Sequence, residues 1–220
     1  MAHPLPRAFF LLALLLPCAA RAAALPVDSL FATLPREALP LLDRTARLDL
    51  LDLYDSGLQA TAENIYGGQT VMTAKTATHI ALRTSESGTW TLDAVPAQGD
   101  TLAVCVSSVK AGGVSSRVSV YTRHWRPVKT ALPHMEPKSF FTASPTLTPD
   151  SLLQTQLALD ACPLRAEWDT ESATLRVSVS TDGLTSSWRA AAAACLRERR
   201  FSLKSGHFTE VESTPPAQRK

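Results

Sequence analysis

Asparagine occurs once in this chain of 220 residues, at Asn64, isoleucine only at Ile65 and Ile80, and aromatic residues make up 6%. Neither sign of charge dominates: 22 Lys+Arg stand against 20 Asp+Glu, a formal net charge of +2. That balance excludes the strongly basic footprint of a nucleic-acid binder and the high net charge of a disordered chain. Four cysteines are too few for a fold held mainly by disulfides. His79, His124, His134 and His207 are dispersed, none at ligand spacing, and HExxH, GxSxG and a phosphate-cradling glycine loop are all missing. No cofactor is expected. Beyond the first two dozen residues no apolar run approaches the ~20 residues of a membrane span. What is present is 45% hydrophobic content, ample for a core at this length, and 15 Pro against 9 Gly. Sixteen Arg against six Lys, together with many Ala and Pro, match GC-rich codon usage, so the arginines are no sign of phosphate binding.

The apolar run that does exist lies at the start. Arg7 precedes an unbroken hydrophobic stretch at 8–16, and small residues continue through Ala24. This three-part layout is that of a secretory signal peptide, with cleavage after Ala22 or Ala24. Cys18 follows the run as a lipid-attachment cysteine does, but Pro17 stands where that chemistry takes a small residue. Export to the periplasm or to the outer-membrane or extracellular face is the expected destination. Removing residues 1–24 takes away Arg7 and Arg21 and no carboxylate, so 22 basic residues become 20 against 20 acidic and the mature chain is formally neutral.

The remainder reads as an α+β fold. A short turn capped by Asp28 and a longer helix capped by Asp43 and stopped at Gly57 come first. Leu48, Leu51 and Tyr54 recur at helical spacing, with Leu50 and Leu53 widening the apolar face. Strand patterns follow at 70–73, 79–84, 89–95, 101–109 and 117–123, with turn chemistry at 87–88, 98–100 and 112–113. Connections this short permit only antiparallel pairing, which predicts a β-meander or small sandwich covered by the N-terminal helices. Five prolines between Pro127 and Pro149 mark a connector at 129–149 between an N-terminal half, 25–128, and a C-terminal half, 150–212. In that second half Thr148-Pro149 opens a helix through 154. Strands at 164–168 and 174–180, a helix capped by Thr185 or Ser186 and rich in alanine through 196, and a strand or hairpin at 201–211 give a β-β-α-β subdomain. Residues 213–220 read as a disordered tail.

Two stretches carry a resemblance. Leu30-Phe31-Ala32-Thr33-Leu34-Pro35 through Leu42, continued by Arg47-Leu48-Asp49-Leu50-Leu51-Asp52-Leu53-Tyr54-Asp55-Ser56-Gly57, resembles the opening of an uncharacterised exported-protein family of Bacteroides-type bacteria. The later Tyr121-Thr122-Arg123-His124-Trp125-Arg126-Pro127 is similar to that family's aromatic strand end. The resemblance covers 30–128 and implies a secreted protein of a family of unknown function, with no catalytic residues to carry over.

Three groups of residues stand out chemically. Arg47 lies early in the 43–56 helix, while Asp49, Asp52 and Asp55, spaced i, i+3, i+6, run toward its C-terminus against the helix dipole. They form either a cation or partner site or a cluster neutralised by sheet arginines such as Arg83, Arg117 or Arg123. Tyr121, His124, Trp125 and Arg126 can form an aromatic, cationic rim for a glycan or peptide, or Trp125 can pack at the sheet end. Cys162 and Cys195 could bridge the start of the C-terminal hairpin to the end of the alanine-rich helix, contributing about 3 to 4 kcal/mol in the chain-entropy model. Cys105 reads as a buried thiol, and Glu167, Asp169 and Glu171 as solvent-facing residues around a hairpin turn. The function expected is a non-enzymatic binding or structural module of the cell envelope, its partner an envelope protein or glycan and not nucleic acid. An envelope hydrolase with a dispersed active site is the alternative.

Overall fold

The computed structural model describes residues 25–97, 100–129, 135–142, 144, 146–204 and 206–211. The expected signal peptide with Cys18, the turn at 98–99, Pro133, His134, Pro145 and the tail at 213–220 lie outside the described residues.

Helix α1 (Val27–Ala32) follows Pro26, so Asp28 sits in its first turn and not at its cap. Its carboxylate instead accepts a hydrogen bond from Lys75 Nζ at 2.9 Å. Helix α2 (Arg44–Asp55) begins as its sequence predicts, with Asp43 accepting the Ala46 N–H at 2.8 Å. It ends at Ser56, followed by Gly57 at φ 70, a conformation glycine adopts without a Cβ penalty. Helix α1 buries Val27, Leu30 and Phe31, and α2 buries Arg47, Leu50 and Leu51, while Leu48 and Tyr54 of the expected apolar face are only partly covered.

Strands β1 (Thr61–Glu63), β2 (Gln69–Lys75), β3 (His79–Arg83), β4 (Gly88–Ala97), β5 (Asp100–Lys110) and β6 (Val114–Thr122) form one antiparallel sheet in sequential order. The expected meander is there with one strand more, because β1 is too short to show any alternation. The pleat divides β4 and β5 between two cores. Trp90, Leu92, Ala94, Ala103 and Cys105 join Val27, Phe31, Leu50 and Ile80 beneath the helices. Phe31 and Trp90 meet at 6.1 Å between ring centroids. Val95, Leu102, Val104 and Val106 point the other way into a second core.

That second core explains the C-terminal half. A 3-10 turn (Pro137–Phe140) and helix α3 (Pro149–Asp160) lead into β7 (Leu164–Asp169), β8 (Thr174–Val179), helix α4 (Ser186–Ala193), β9 (Arg199–Lys204) and β10 (His207–Val211). The four strands form an antiparallel sheet in the order β10-β9-β8-β7. Its inner residues Ala166, Leu175, Val177, Phe201 and Phe208 pack on Val104, Val106 and Val120 of the first sheet. The six-stranded meander therefore carries α1 and α2 on one face and, on the other, the four-stranded sheet with the 3-10 turn, α3 and α4 sharing its core.

Several expectations change accordingly. Part of the 129–149 connector belongs to the core: Phe140 is fully buried there, and Phe141 bridges to Leu196. Helix α3 runs on to Asp160 because Thr155 and Leu159 find buried positions. Helix α4 stops at Ala193, and Leu196 turns away into that bridge. The 201–211 segment is a hairpin.

The two sheets are fastened at one corner by small residues. The β5–β6 turn at Gly112-Gly113 lies against Pro163, Ser180 and Gly183. Ser180 Oγ accepts the Val114 N–H at 2.8 Å, and the Ser180 N–H donates to the Pro163 carbonyl at 2.8 Å. Gly112 and Gly113, which the sequence marks as a turn, together with Gly183 also allow a close backbone approach.

Candidate cleft between the two sheets

Strand β7, the edge of the smaller sheet, packs against β5 and β6. The face of β2, β3 and β4 on the same side of the meander borders a cleft of about 580 Å³. Its floor comes from Thr73, Ala81, Thr91 and Ser108, and its wall from Arg165, Trp168 and Arg176. The floor is polar for a reason visible in the alternation of β4. Trp90 and Leu92 face the helix-side core, so Thr89 and Thr91 are left for the opposite face. Strand register aligns Arg83, Thr89, Ser108 and Ser116 in one row across β3 to β6, and Ser108 and Ser116 hydroxyls meet at 2.7 Å. With strands about 4.8 Å apart, that row is about 14 Å long.

The charges of the cleft are arranged in two ways. On the wall, Glu167 Oε1 accepts from Arg165 Nε at 2.7 Å and Glu167 Oε2 from Arg176 Nη2 at 3.1 Å. Pairs this exposed contribute about 0.2 to 1 kcal/mol, so their effect is to orient the guanidinium groups more than to hold the fold. Glu167 faces solvent as its sequence suggests, and in addition it is engaged by both guanidinium groups. On the rim, Arg83 and Lys110 are exposed and have no ion-pair partner among the described residues, and neither has Glu86 in the β3–β4 turn. Four cations and two carboxylates therefore line a cleft with one large aromatic wall. Trp168, half-buried between core and cleft, carries no sequence motif. Its signal is the alternation Leu164, Ala166, Trp168 along β7.

The sequence-predicted groups fall elsewhere. Tyr121 and Trp125 meet at 5.5 Å between ring centroids with their planes tilted by 56°, and Trp125, at φ 60, donates its indole N–H to Thr33 Oγ1 at 3.2 Å. His124 and Arg126 are exposed, and His124 Nε2 accepts from Arg123 Nε at 3.0 Å. Trp125 packs on the helix-side core, and with His124 and Arg123 it borders an open hollow of about 430 Å³ that includes neither Tyr121 nor Arg126. The four residues do not converge on one site.

The acidic helix resolves differently from either expectation. Asp55 pairs with Lys75 at 2.7 Å, and Lys75 also holds Asp28. Burial works against the Lys75 charge, but hydrogen bonds to Asp28 and Asp55 carry its pKa above the usual lysine value. The neutralising group is therefore a lysine of β2 and not Arg83, Arg117 or Arg123. Arg47 is buried away from the carboxylates, donating to the carbonyls of Leu34 at 2.7 Å and Leu42 at 3.0 Å. It ties α2 to the segment after α1. Asp49 and Asp52 stay exposed beside a shallow hollow, and among the described residues no group of three His, Cys, Asp or Glu is placed to hold a metal. The bridge between Cys162 and Cys195 is not formed. Both are free thiols that bond back to their own helices, at Ala158 O and Ala191 O. Cys105 is buried in β5.

One titratable pair lies away from the cleft. His79 Nδ1 and Asp93 Oδ1 meet at 2.8 Å across the register of β3 and β4. Burial raises the Asp93 pKa, with the His79 hydrogen bond opposing it, and Asp93 Oδ2 has no partner.

The order of elements, helices then meander then β-β-α-β, can now be set beside known proteins. A family model described as protein of unknown function, DUF3256, matches residues 19–208. The chain belongs to the DUF3256 family. A solved domain of an uncharacterised protein from Porphyromonas gingivalis W83 shares the fold, with a TM-score of 0.67 and 21% identity over 86% of this chain and 99% of that one. No curated relative matches. The DUF3256 match runs from 19 into β10 at 208, so every residue named in the cleft lies within it.

Proposed function

We propose that this DUF3256 protein is an exported, non-enzymatic binding module of the cell envelope, and that the cleft between its two sheets is the binding surface. The observation that carries this reading is the composition of the cleft. Hydroxyls on a sheet floor, an aromatic wall and two rim cations without an ion-pair partner among the described residues are groups that bind and orient a polar, anionic ligand. The signal-like N-terminus and the resemblance to an exported family support the envelope as its location. No helix among the described residues is long and apolar enough to cross a membrane.

Two experiments test the reading. Cell fractionation with N-terminal sequencing of the mature chain should place it outside the cytoplasm, beginning at Ala23 or Leu25. Retention of the purified chain on an immobilised anionic envelope fraction should fall in Arg83→Gln and Trp168→Leu variants that keep the wild-type melting temperature. Unchanged retention in both variants would remove the cleft from consideration. The hydrolase alternative rests on the His79–Asp93 pair, which has the spacing of an imidazole and its orienting carboxylate. It requires that hydrolysis of an envelope ester or amide be lost in a His79→Gln variant.

A further inference from the structure

The β3–β4 turn separates the cleft from a second hollow of about 680 Å³, and both are bordered by Arg83, Glu86 and Ser108. On the far side stands Tyr66, 82% exposed, in a turn that the chain's single asparagine holds in place. Asn64 Oδ1 accepts the N–H groups of Tyr66 at 3.0 Å and Gly68 at 3.1 Å, and its Nδ2 donates to the Thr84 carbonyl at 3.4 Å. The turn fixes the backbone that carries this exposed aromatic, so on binding the loss of freedom is confined to the Tyr66 side chain. The two hollows thus present an aromatic at each end, Trp168 and Tyr66, with a cation and a hydroxyl row between them.

We infer that the ligand of this protein is an anionic oligosaccharide lying across the β3–β4 turn, with one sugar ring against Trp168 and a later one against Tyr66. The inference rests on the reading of the cleft as the binding surface and adds the ligand class and a second subsite. Three features select this chemistry. A carboxylate on the ligand meets the unpaired Arg83, whose planar fork matches it in bidentate fashion. The unpaired Glu86 and the hydroxyls of Thr89, Thr91 and Ser108 call for a ligand that also offers many hydroxyl donors, which a uronic acid chain does and an acidic peptide does not. The apolar face of a pyranose ring suits the aromatic face of Trp168 or Tyr66, each amphipathic in the same sense.

The test is calorimetric titration of galacturonic acid oligomers, a disaccharide and a tetrasaccharide, at physiological salt, with neutral galactose oligomers and hexaglutamate as comparisons. The tetrasaccharide should bind about five- to tenfold more tightly than the disaccharide, and Tyr66→Ala should abolish that difference while leaving the disaccharide unaffected. Arg83→Gln should abolish the preference for the acidic over the neutral oligomer. Both substitutions are at exposed positions, so melting temperatures should stay at the wild-type value. Equal affinity for the two lengths, or a Tyr66→Ala variant that behaves as wild type, would overturn the second subsite while a Trp168→Leu effect on the disaccharide upheld the cleft. Tighter binding of hexaglutamate than of either acidic oligomer, or no binding of any galacturonic acid oligomer, would overturn the saccharide assignment.

Discussion

Replacing Gly183 with alanine tests whether the two sheets are held together at the glycine corner. A Cβ at position 183 would lie 1.9 Å from the Gly112 carbonyl oxygen and 2.8 Å from its carbon, where ordinary contact begins at 3.4 Å. The turns must separate by about 1.5 Å, the difference between 3.4 and 1.9, and both clashing atoms are backbone, so no rotamer change relieves the overlap. Overpacking of this kind costs about 1 to 3 kcal/mol, and losing the Val114 N–H to Ser180 Oγ bond adds about 1 kcal/mol. The sum is about 2 to 4 kcal/mol. For a chain of this size a loss of about 3 kcal/mol lowers Tm by roughly 6 to 12 °C. Thermal unfolding followed by circular dichroism measures it, and amide exchange at Val114 locates it. Gly57→Ala is the control: its φ of 70 strains an alanine, yet nothing lies within 4 Å, so Val114 exchange should stay slow. A Gly183→Ala Tm within 2 °C of wild type, with Val114 still protected, would refute the corner as the fastening between the sheets.

Three further outcomes follow from buried groups. Arg47→Met keeps most of the side-chain volume but leaves the Leu34 and Leu42 carbonyls without their donor, and urea unfolding should show a loss of about 2 to 4 kcal/mol; a variant as stable as wild type would mean that water or backbone replaces the guanidinium. Burial raises the Asp93 pKa, so the folded state holds that proton more tightly than the unfolded chain; the contribution is fully present below the usual Asp value and is lost as pH rises through the raised one. Asp93→Asn, which keeps an acceptor for His79, should therefore gain stability relative to wild type as pH rises above the usual Asp range, and parallel pH profiles of the two would contradict the assignment. Maleimide labelling of the denatured, unreduced protein should modify Cys105, Cys162 and Cys195 together, whereas protein in which only Cys105 of these three is labelled would restore the Cys162–Cys195 bridge.

The elements were legible wherever local chemistry decides them. Asp43 capping α2, Thr148-Pro149 opening α3, and the Gly112-Gly113 turn each depend on a few adjacent residues, and each is found where the spacing predicts. The stacking of the two sheets was not legible in the same way, because proline at 127–149 reads as a linker whether or not a residue such as Phe140 plugs a core. A sign of the second layer was nevertheless present. Residues 101–106 of β5 are buried without alternation, and a strand apolar on both faces must be covered on both. The cleft was hidden for a related reason. Its floor is the polar half of a strand whose other half is core, and its wall is Trp168, about eighty residues away in the chain from Thr89, so only the packing brings them together. The salient clusters stand out because exposed charge and aromatics are conspicuous in sequence, whereas their partners are not. Lys75 had no pattern to mark it as the partner of Asp28 and Asp55, and Trp125 spends its indole N–H on Thr33.

The most direct measurement is a titration of the galacturonic acid disaccharide into the purified protein with tryptophan fluorescence as the signal, repeated with Trp168→Leu and with Arg83→Gln. The cleft as binding surface predicts a saturable change in the wild type, its loss in Trp168→Leu and an affinity about five- to tenfold weaker in Arg83→Gln. A saturable change of the same size and midpoint in all three proteins would place binding elsewhere and contradict the account.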